Sequence, residues 1–387
     1  MSVTKRIVAS LALVLCMCAA PASSPADYNA FGITALQQLT AQSNSENVFI
    51  SPVSIGVALS MAAEGAKGAT RDQIIHALGT GESDLNGSNA ALIAALTQNT
   101  DASVGLADAV WTRSDVRPRP EYLAALQQHY RAQAQALKFG DPSAAQTIND
   151  WTKAHTLGLI DRIVDQTSPS DFLYLTNALA FKGTWSQQFK KSHTHAAPFT
   201  NADGSKSMVQ MMSQDADFET VDARSFRVLR MPYGNGGYAA YILLPTGDDV
   251  SPLVKDLSAG GFDTIVHGLH SSYMSISVPR FTANYAQDLV PLLKSMGITN
   301  AFTTQADFSG IHAVPPSLAI NSVNHAAYVR VDEEGTTAAA ATSVGITMTA
   351  IRIPQKTFVV DHPFVLALRD ERTGSLLFIG AIRTLKA

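Results

Sequence analysis

The chain has 387 residues, 46% hydrophobic and 16% charged, with a formal net charge of −4. This is an ordinary globular composition with ample material for a sizeable core. It excludes the basic stripe that nucleic-acid binding needs, and residues 72–100 contain no Lys or Arg at all.

The N-terminus reads as a signal peptide over residues 1–22. Lys5 and Arg6 form a positive start, Ile7 to Leu15 is an apolar core, and Ala19, Ala20, Pro21, Ala22 and Ser23 follow it. A cut after Ala20 or Ala22 fits the small-x-small rule, and the apolar run is too short for a stable membrane span. A secreted or periplasmic protein is therefore expected. The alternative is a lipoprotein anchored at Cys16 or Cys18, although Leu15 and Met17 stand where that motif wants a small residue. Both cysteines of the chain lie in this leader, so a mature chain without disulfides is expected. No Pro-rich, Gly/Ser-rich or highly charged linker divides the remainder, and a single domain over 23–387 is expected.

Apolar spacing predicts a helix over 29–44, a short β segment at Asn47–Ser51, and an apolar helix over Ser54–Glu64. Thr70, with Gln73 three positions on, reads as the cap of a further helix. Asp84–Asn99 is helical, Val104–Trp111 a strand, and Pro120–Ala132 and Ala144–His155 are helices. The second half is mostly strand: Phe172–Phe181, Phe226–Met231, Tyr238–Leu244, Met274–Val278, Leu318–Val331, Lys356–Val360, Phe364–Arg369 and Leu376–Ile382. Between them, Asp288–Met296 is a helix stopped by Gly297. Helices first and strands later argue for an α+β protein rather than alternating βαβ units.

One segment stands apart. Val331-Asp332-Glu333-Glu334-Gly335 leads into Thr336-Thr337-Ala338-Ala339-Ala340-Ala341-Thr342-Ser343, and residues 335–351 carry no charge, proline or aromatic ring. With a period of two, the even positions run from Thr336 through Ala338, Ala340 and Thr342 to Val344, Ile346 and Met348, and grow steadily more apolar. The odd positions stay small and polar. That is the pattern of a strand with one buried face. Alanine content alone favours a helix or a solvated tract instead. Local composition leaves both readings open.

Five separated blocks resemble the serpins, from about Asn29 to the C-terminus. They are Asn47–Ser54 running into Gly65–Thr70, Asn177–Trp185, Ala306–Ile311, Asp332–Thr342, and Asp361–Phe364 with Leu377–Gly380. The resemblance implies one α+β serpin fold with a large central sheet A, two further sheets, about eight or nine helices and an exposed reactive-centre loop over 333–354. It also implies a suicide-substrate inhibitor of serine proteases. The protease attacks the loop and becomes acylated, and the freed loop then inserts as a strand into the central sheet. The partner implied is a target serine protease held in a covalent acyl complex, with the inhibitor itself a monomer. By resemblance, Glu333, Glu334, Gly335, Thr336, Thr337, Ala338, Ala339, Ala340, Ala341 and Thr342 form the hinge. Glu333 pairs with Arg280 near Trp185 at the top of the sheet. Ser51, Ser54, Asn177 and His325 form a polar cluster beneath it that gates strand separation.

Family spacing counted from Glu333 puts the scissile bond at Thr349-Ala350, which suits an elastase- or subtilisin-like protease. Counting back from Pro363-Phe364 moves it toward Arg352, and Met348-Thr349 is a third position. From Gly335 to Thr349 an extended strand spans roughly 46 Å. Thr337 stands where an acid is common in the family, and Leu159 replaces a common lysine. The Asp84–Asn99 region lacks basic residues, so no heparin-type cofactor is expected. An enzyme is not expected, because no Gly-x-Ser-x-Gly, His-Glu-x-x-His or glycine-rich phosphate loop is present. His193 and His195 lie in what reads as a flexible stretch and have no third ligand motif nearby, so no metal is expected. The competing readings are a non-inhibitory serpin acting as a binding or folding-helper protein, and an inhibitor of a papain-like cysteine protease.

Overall fold

The computed structural model describes residues 24–386 except 44, 82–83, 99, 313–317, 337–351 and 355. The first half holds α1 (Asn29–Gln42), β1 (Val48–Ile50), α2 (Pro52–Gly65), α3 (Gly68–Leu78) and α4 (Leu85–Gln98). After these come β2 (Ala102–Arg113), α5 (Pro120–Ala125), β3 (Gln133–Leu137), α6 (Pro142–His155) and β4 (Leu173–Thr184). Next are β5 (Thr194–Thr200), β6 (Lys206–Asp222), β7 (Phe226–Tyr233), β8 (Tyr238–Pro245), α7 (Ser251–Asp256) and α8 (Ala259–His267). The chain then forms β9 (His270–Pro279), β10 (Phe281–Asp288), α9 (Val290–Ser295), β11 (Ile320–Val331) and β12 (Gly335–Thr336), and closes with β13 (Lys356–Val359), β14 (Phe364–Asp370) and β15 (Leu376–Ile382).

Two sheets organise these elements. The central sheet has six strands in the order β10-β11-β12-β4-β2-β3. The second runs β1-β15-β14-β8-β7-β6-β9-β13, with β5 also paired to β6. The two smaller sheets expected from the sequence are thus continuous here, joined through the long strand β6. Helix α2 is buried at every position but Glu64 and packs against β2, β4 and β15, between the sheets. A helix that is apolar all round belongs in a core. Its start is fixed by Ser51, whose hydroxyl accepts from the Ser54 N–H at 3.1 Å, and by Pro52 in the first turn. Helix α6 covers the other face of the central sheet, where Ala107, Ala109, Trp111, Ala178 and Ala326 pack with Ala144, Ala145 and Ile148.

Most expected elements are present, and the exceptions have physical causes. Thr70 and Gln73 do not cap their own helix, because α3 begins at Gly68. Thr70 Oγ1 instead accepts from the Asp307 N–H, and Gln73 Oε1 accepts from the N–H groups of Thr299 and Asn300. The helix expected over 120–132 ends at Ala125, widens into a π-helical turn at Leu126–Tyr130 and stops at Arg131, whose φ is +50°. His195 lies on β5 opposite Met211, not in a flexible stretch. Strands β5 and β6 went unread because most of their side chains are polar or small and partly exposed, so the alternation that marks a half-buried strand is absent.

Candidate functional site

The chain leaves β11 at Val331 and turns back within four residues. Asp332 Oδ1 accepts from the N–H groups of Glu334 and Gly335 at 3.1 and 3.3 Å, and the Asp332 N–H donates to the Gly335 carbonyl at 2.9 Å. An aspartate bonding its own backbone two residues on is a turn-forming device. The returning strand β12 enters between two neighbours. Thr336 lies antiparallel to Val331 of β11, while Gly335 and Thr336 lie antiparallel to Thr184 and Gly183 of β4. Below this wedge, β4 and β11 pair directly and in parallel, from Leu173 opposite Ile320 to Ala180 opposite Tyr328.

The contacts explain the residue types. A Cβ on Gly335 would sit 2.1 Å from the Gly183 carbonyl oxygen and 2.7 Å from the Thr184 Cα, so only glycine fits against the β4 backbone. Thr336 is fully buried, and its hydroxyl lies 2.6 Å from the Tyr233 hydroxyl. Tyr233 in turn stacks on Trp185 at 4.2 Å. Trp185 holds the turn from its other side: its indole N–H donates to the Asp332 carbonyl at 2.9 Å and its backbone N–H to the Glu334 carbonyl at 3.0 Å.

The expected Glu333–Arg280 pair is present. Glu333 is 3% exposed and also accepts from the Thr194 hydroxyl at 2.7 Å, and its carbonyl accepts from the Phe189 N–H. Burial pushes its carboxyl up, but the hydrogen bonds from Arg280 and Thr194 outweigh that and hold it below the usual carboxylate range. Glu334 pairs with Lys191 at 2.6 Å on the surface. Arg280→Ala leaves a buried carboxylate with Thr194 as its remaining side-chain partner. We expect a loss of about 1–3 kcal/mol in unfolding free energy by chemical denaturation, at the lower end because Arg280 is 40% exposed. A depressed carboxyl stabilises above its unfolded value near pH ~4.3 and stops doing so as the pH falls through its lower folded value. The deficit of the variant should therefore shrink in acid.

The four residues expected to cluster beneath the sheet are all fully buried and are brought together. The Ser51 N–H donates to His325 Nε2 at 3.2 Å, so that nitrogen is the acceptor and Nδ1 carries the proton. Nδ1 then donates to Asn177 Oδ1 at 2.6 Å, and Asn177 Nδ2 donates to the Asn324 carbonyl at 3.3 Å. His325 and Asn177 are direct partners in the β4–β11 register, so this bond ties the two strands side to side. Burial pushes the imidazole down to about 3. Between that value and ~6.5, the unfolded chain takes up a proton that the folded chain refuses, so this residue's stabilisation falls on acidification by up to ~1.4 kcal/mol per pH unit. His325→Gln should abolish that contribution. The gap in unfolding free energy between the parent and His325→Gln is expected to narrow from pH 6.5 to 5. A gap independent of pH would contradict a neutral, buried imidazole. The gap is the proper readout because Asp108, pushed well above the usual carboxylate range by burial, acts with the opposite sign.

The expected leader 1–22, the hinge residues Thr337, Ala338, Ala339, Ala340, Ala341 and Thr342, and the Thr349-Ala350 bond lie outside the described residues. Several contacts went unread from sequence. Asp332 and Gly183 stand inside the Asp332–Thr342 and Asn177–Trp185 blocks without a role of their own, although an aspartate three residues before glycine signals a turn. Tyr233, Thr194 and Asp108 carry no signal, because each reaches the site only through strand pairing across long sequence separations.

A family model described as Serpin (serine protease inhibitor) matches residues 26–385. The chain belongs to the serpin family. Similar relatives include Serpin B8 of Bos taurus, 34% identical over 90% of this chain and 96% of that protein, and Iripin-2 of Ixodes ricinus, 31% identical over 96% of each. The thermophilic serpin tengpin in its native state has a similar structure, with a TM-score of 0.85 and 30% identity over 92% of this chain and 94% of that one. Serpins are generally protease inhibitors rather than enzymes.

Proposed function

We propose that this serpin is an exported suicide-substrate inhibitor of serine proteases, working by loop insertion after cleavage at Thr349-Ala350. The observation that carries the reading is the β12 wedge: a strand already antiparallel to both neighbours, above a β4–β11 pair that is still closed. Extending β12 would replace one parallel ladder with two antiparallel ones, which are the more stable kind per residue.

Continuing the register of β12 supports the reading residue by residue. Ile346 would reach the start of β4 at Leu173, so the strand has room for the patterned segment up to Ile346, with Met348 two residues beyond its end. Its even positions would share the buried face of Thr336. Ala341 would fall between Ala178 and Ala326, under α6, where only small side chains pass. Thr342 would arrive between Asn177 and His325, the level at which the strands are tied. We infer that this tie is the gate and that the Thr342 hydroxyl replaces it.

The bond assignment gains support from Arg352. Its guanidinium holds Asp217 at 2.6 and 2.8 Å and lies 4.0 Å over the Tyr273 ring. A trypsin-like protease would have to extract it from both before cutting there. A threonine before the bond suits an elastase- or subtilisin-like protease with a small-to-medium pocket.

The test mixes the protein with elastase-, subtilisin-, chymotrypsin- and trypsin-like proteases. The expected result is a covalent complex that survives a denaturing gel and a released peptide running from Ala350 to Ala387. A peptide beginning elsewhere moves the bond. Cleavage without any complex across the panel refutes inhibition and favours a non-inhibitory role.

A further inference from the structure

The seat that Arg352 occupies is built into the second sheet. Asp217 of β6 and Tyr273 of β9 are direct antiparallel partners, so their side chains stand next to each other on one face. The carboxylate takes the edge of the guanidinium through two bonds, Nη1 to Oδ2 and Nη2 to Oδ1, while the tyrosine ring takes its face. A two-pronged carboxylate pair and a ring stack are both features that arginine exploits and lysine does not. The bonds from Arg352 also hold the Asp217 carboxyl below the usual carboxylate range, so the seat is ionised at neutral pH. The stem beyond Arg352 is tied down as well. Lys356 pairs with Asp222 at 2.9 Å, and Arg227 donates to the Thr357 carbonyl at 2.8 Å.

Arg352 is the only Lys or Arg within residues 331–355, so it is the one position of this stretch that suits a trypsin-like pocket. Such a pocket holds a basic side chain by a carboxylate at its base, and it needs the guanidinium that Asp217 and Tyr273 already hold. The bond itself is not hidden. Ile353, on its far side, is 79% exposed, and the Arg352 side chain is 54% exposed. Access to Arg352-Ile353 is therefore limited by competition for the side chain and not by steric cover. A cut there would also leave a tether three residues longer than a cut at Thr349-Ala350, beyond a segment that already overruns β4.

On the reading that this loop is protease bait, we propose that Asp217 and Tyr273 are specificity-determining residues that withhold Arg352 from trypsin-like proteases and so mask a second, wasteful cleavage site at Arg352-Ile353. Unmasked, that bond is cut in the ordinary way. The protease serine adds to the Arg352 carbonyl carbon, the Ile353 nitrogen leaves with a proton, and water then frees the Arg352 carboxylate.

Trypsin is reacted with the parent and with Asp217→Asn, Tyr273→Leu and Asp217→Glu, and the peptide from Ile353 to Ala387 is timed by mass spectrometry. An elastase-like protease cutting the same loop is the reference. The ratio of the trypsin rate to the elastase rate is expected to rise about fivefold in Asp217→Asn and about threefold in Tyr273→Leu, and to return toward the parental value in Asp217→Glu. Added salt should raise the ratio in the parent and not in Asp217→Asn, because screening weakens the ion pair that only the parent has. Tyr273→Leu carries the test if Asp217→Asn does not fold. An unchanged ratio in both variants, or equal acceleration by both proteases, overturns the proposal. A rising ratio with no covalent complex from any protease refutes inhibition and leaves the mask standing. A covalent elastase complex with an unchanged ratio refutes the mask alone.

Discussion

Thr336→Arg is expected to turn the inhibitor into a substrate: the loop is still cut, but no covalent complex remains on a denaturing gel. Thr336 is fully buried between β11 and β4 with its hydroxyl on Tyr233. A guanidinium there would carry its charge out of water, which costs several kcal/mol. If only about 3 kcal/mol of that reaches the insertion barrier, insertion slows roughly 100-fold. Hydrolysis of the acyl-enzyme then wins the race. The fold should survive, because β4 and β11 remain paired over the Leu173–Ala180 stretch without any help from β12. An unfolding midpoint near that of the parent checks this. Retained inhibition at the parental stoichiometry would count against loop insertion.

The functional segment was legible as a pattern before it was legible as a place. Alternation along the even positions from Thr336 pointed to a strand with one buried face, and Thr336 does lie buried against Tyr233. The identity of its neighbours was hidden, because β12 meets β4 across about 150 residues of sequence and no local rule reports such a pairing. Gly335 was read as a pivot. The structure adds a second reason for it, the approach of the Gly183 carbonyl to within 2.1 Å of any Cβ. Ser51, Ser54, Asn177 and His325 were named through family likeness. Their bonding order, and the tautomer it imposes on His325, came only from the geometry. Strands β5 and β6 were missed for a different reason. Their partly exposed faces carry residues such as Gln210, Ser213, Gln214 and Asp215, and hydrophobic periodicity vanishes when a strand has little to bury. Asp108 illustrates the converse. A lone acid inside Val104–Trp111 reads as one polar position of an alternating strand, yet it is nearly inaccessible to solvent.

Loop insertion requires β4 and β11 to part along their shared register. Ala178 and Ala326 are direct partners in that register and face the same way, under α6. Adjacent strands lie ~4.8 Å apart, within the range a disulfide can bridge. The most direct measurement is therefore the yield of covalent protease complex from an Ala178→Cys, Ala326→Cys double variant, compared oxidised and reduced. With the staple closed, Ala341 cannot pass between the strands. The oxidised protein is predicted to be cut as a substrate with no complex, and reduction is predicted to restore complex formation in the same sample. Equal complex yields in the two states, with the disulfide verified by mass, would contradict insertion between these strands.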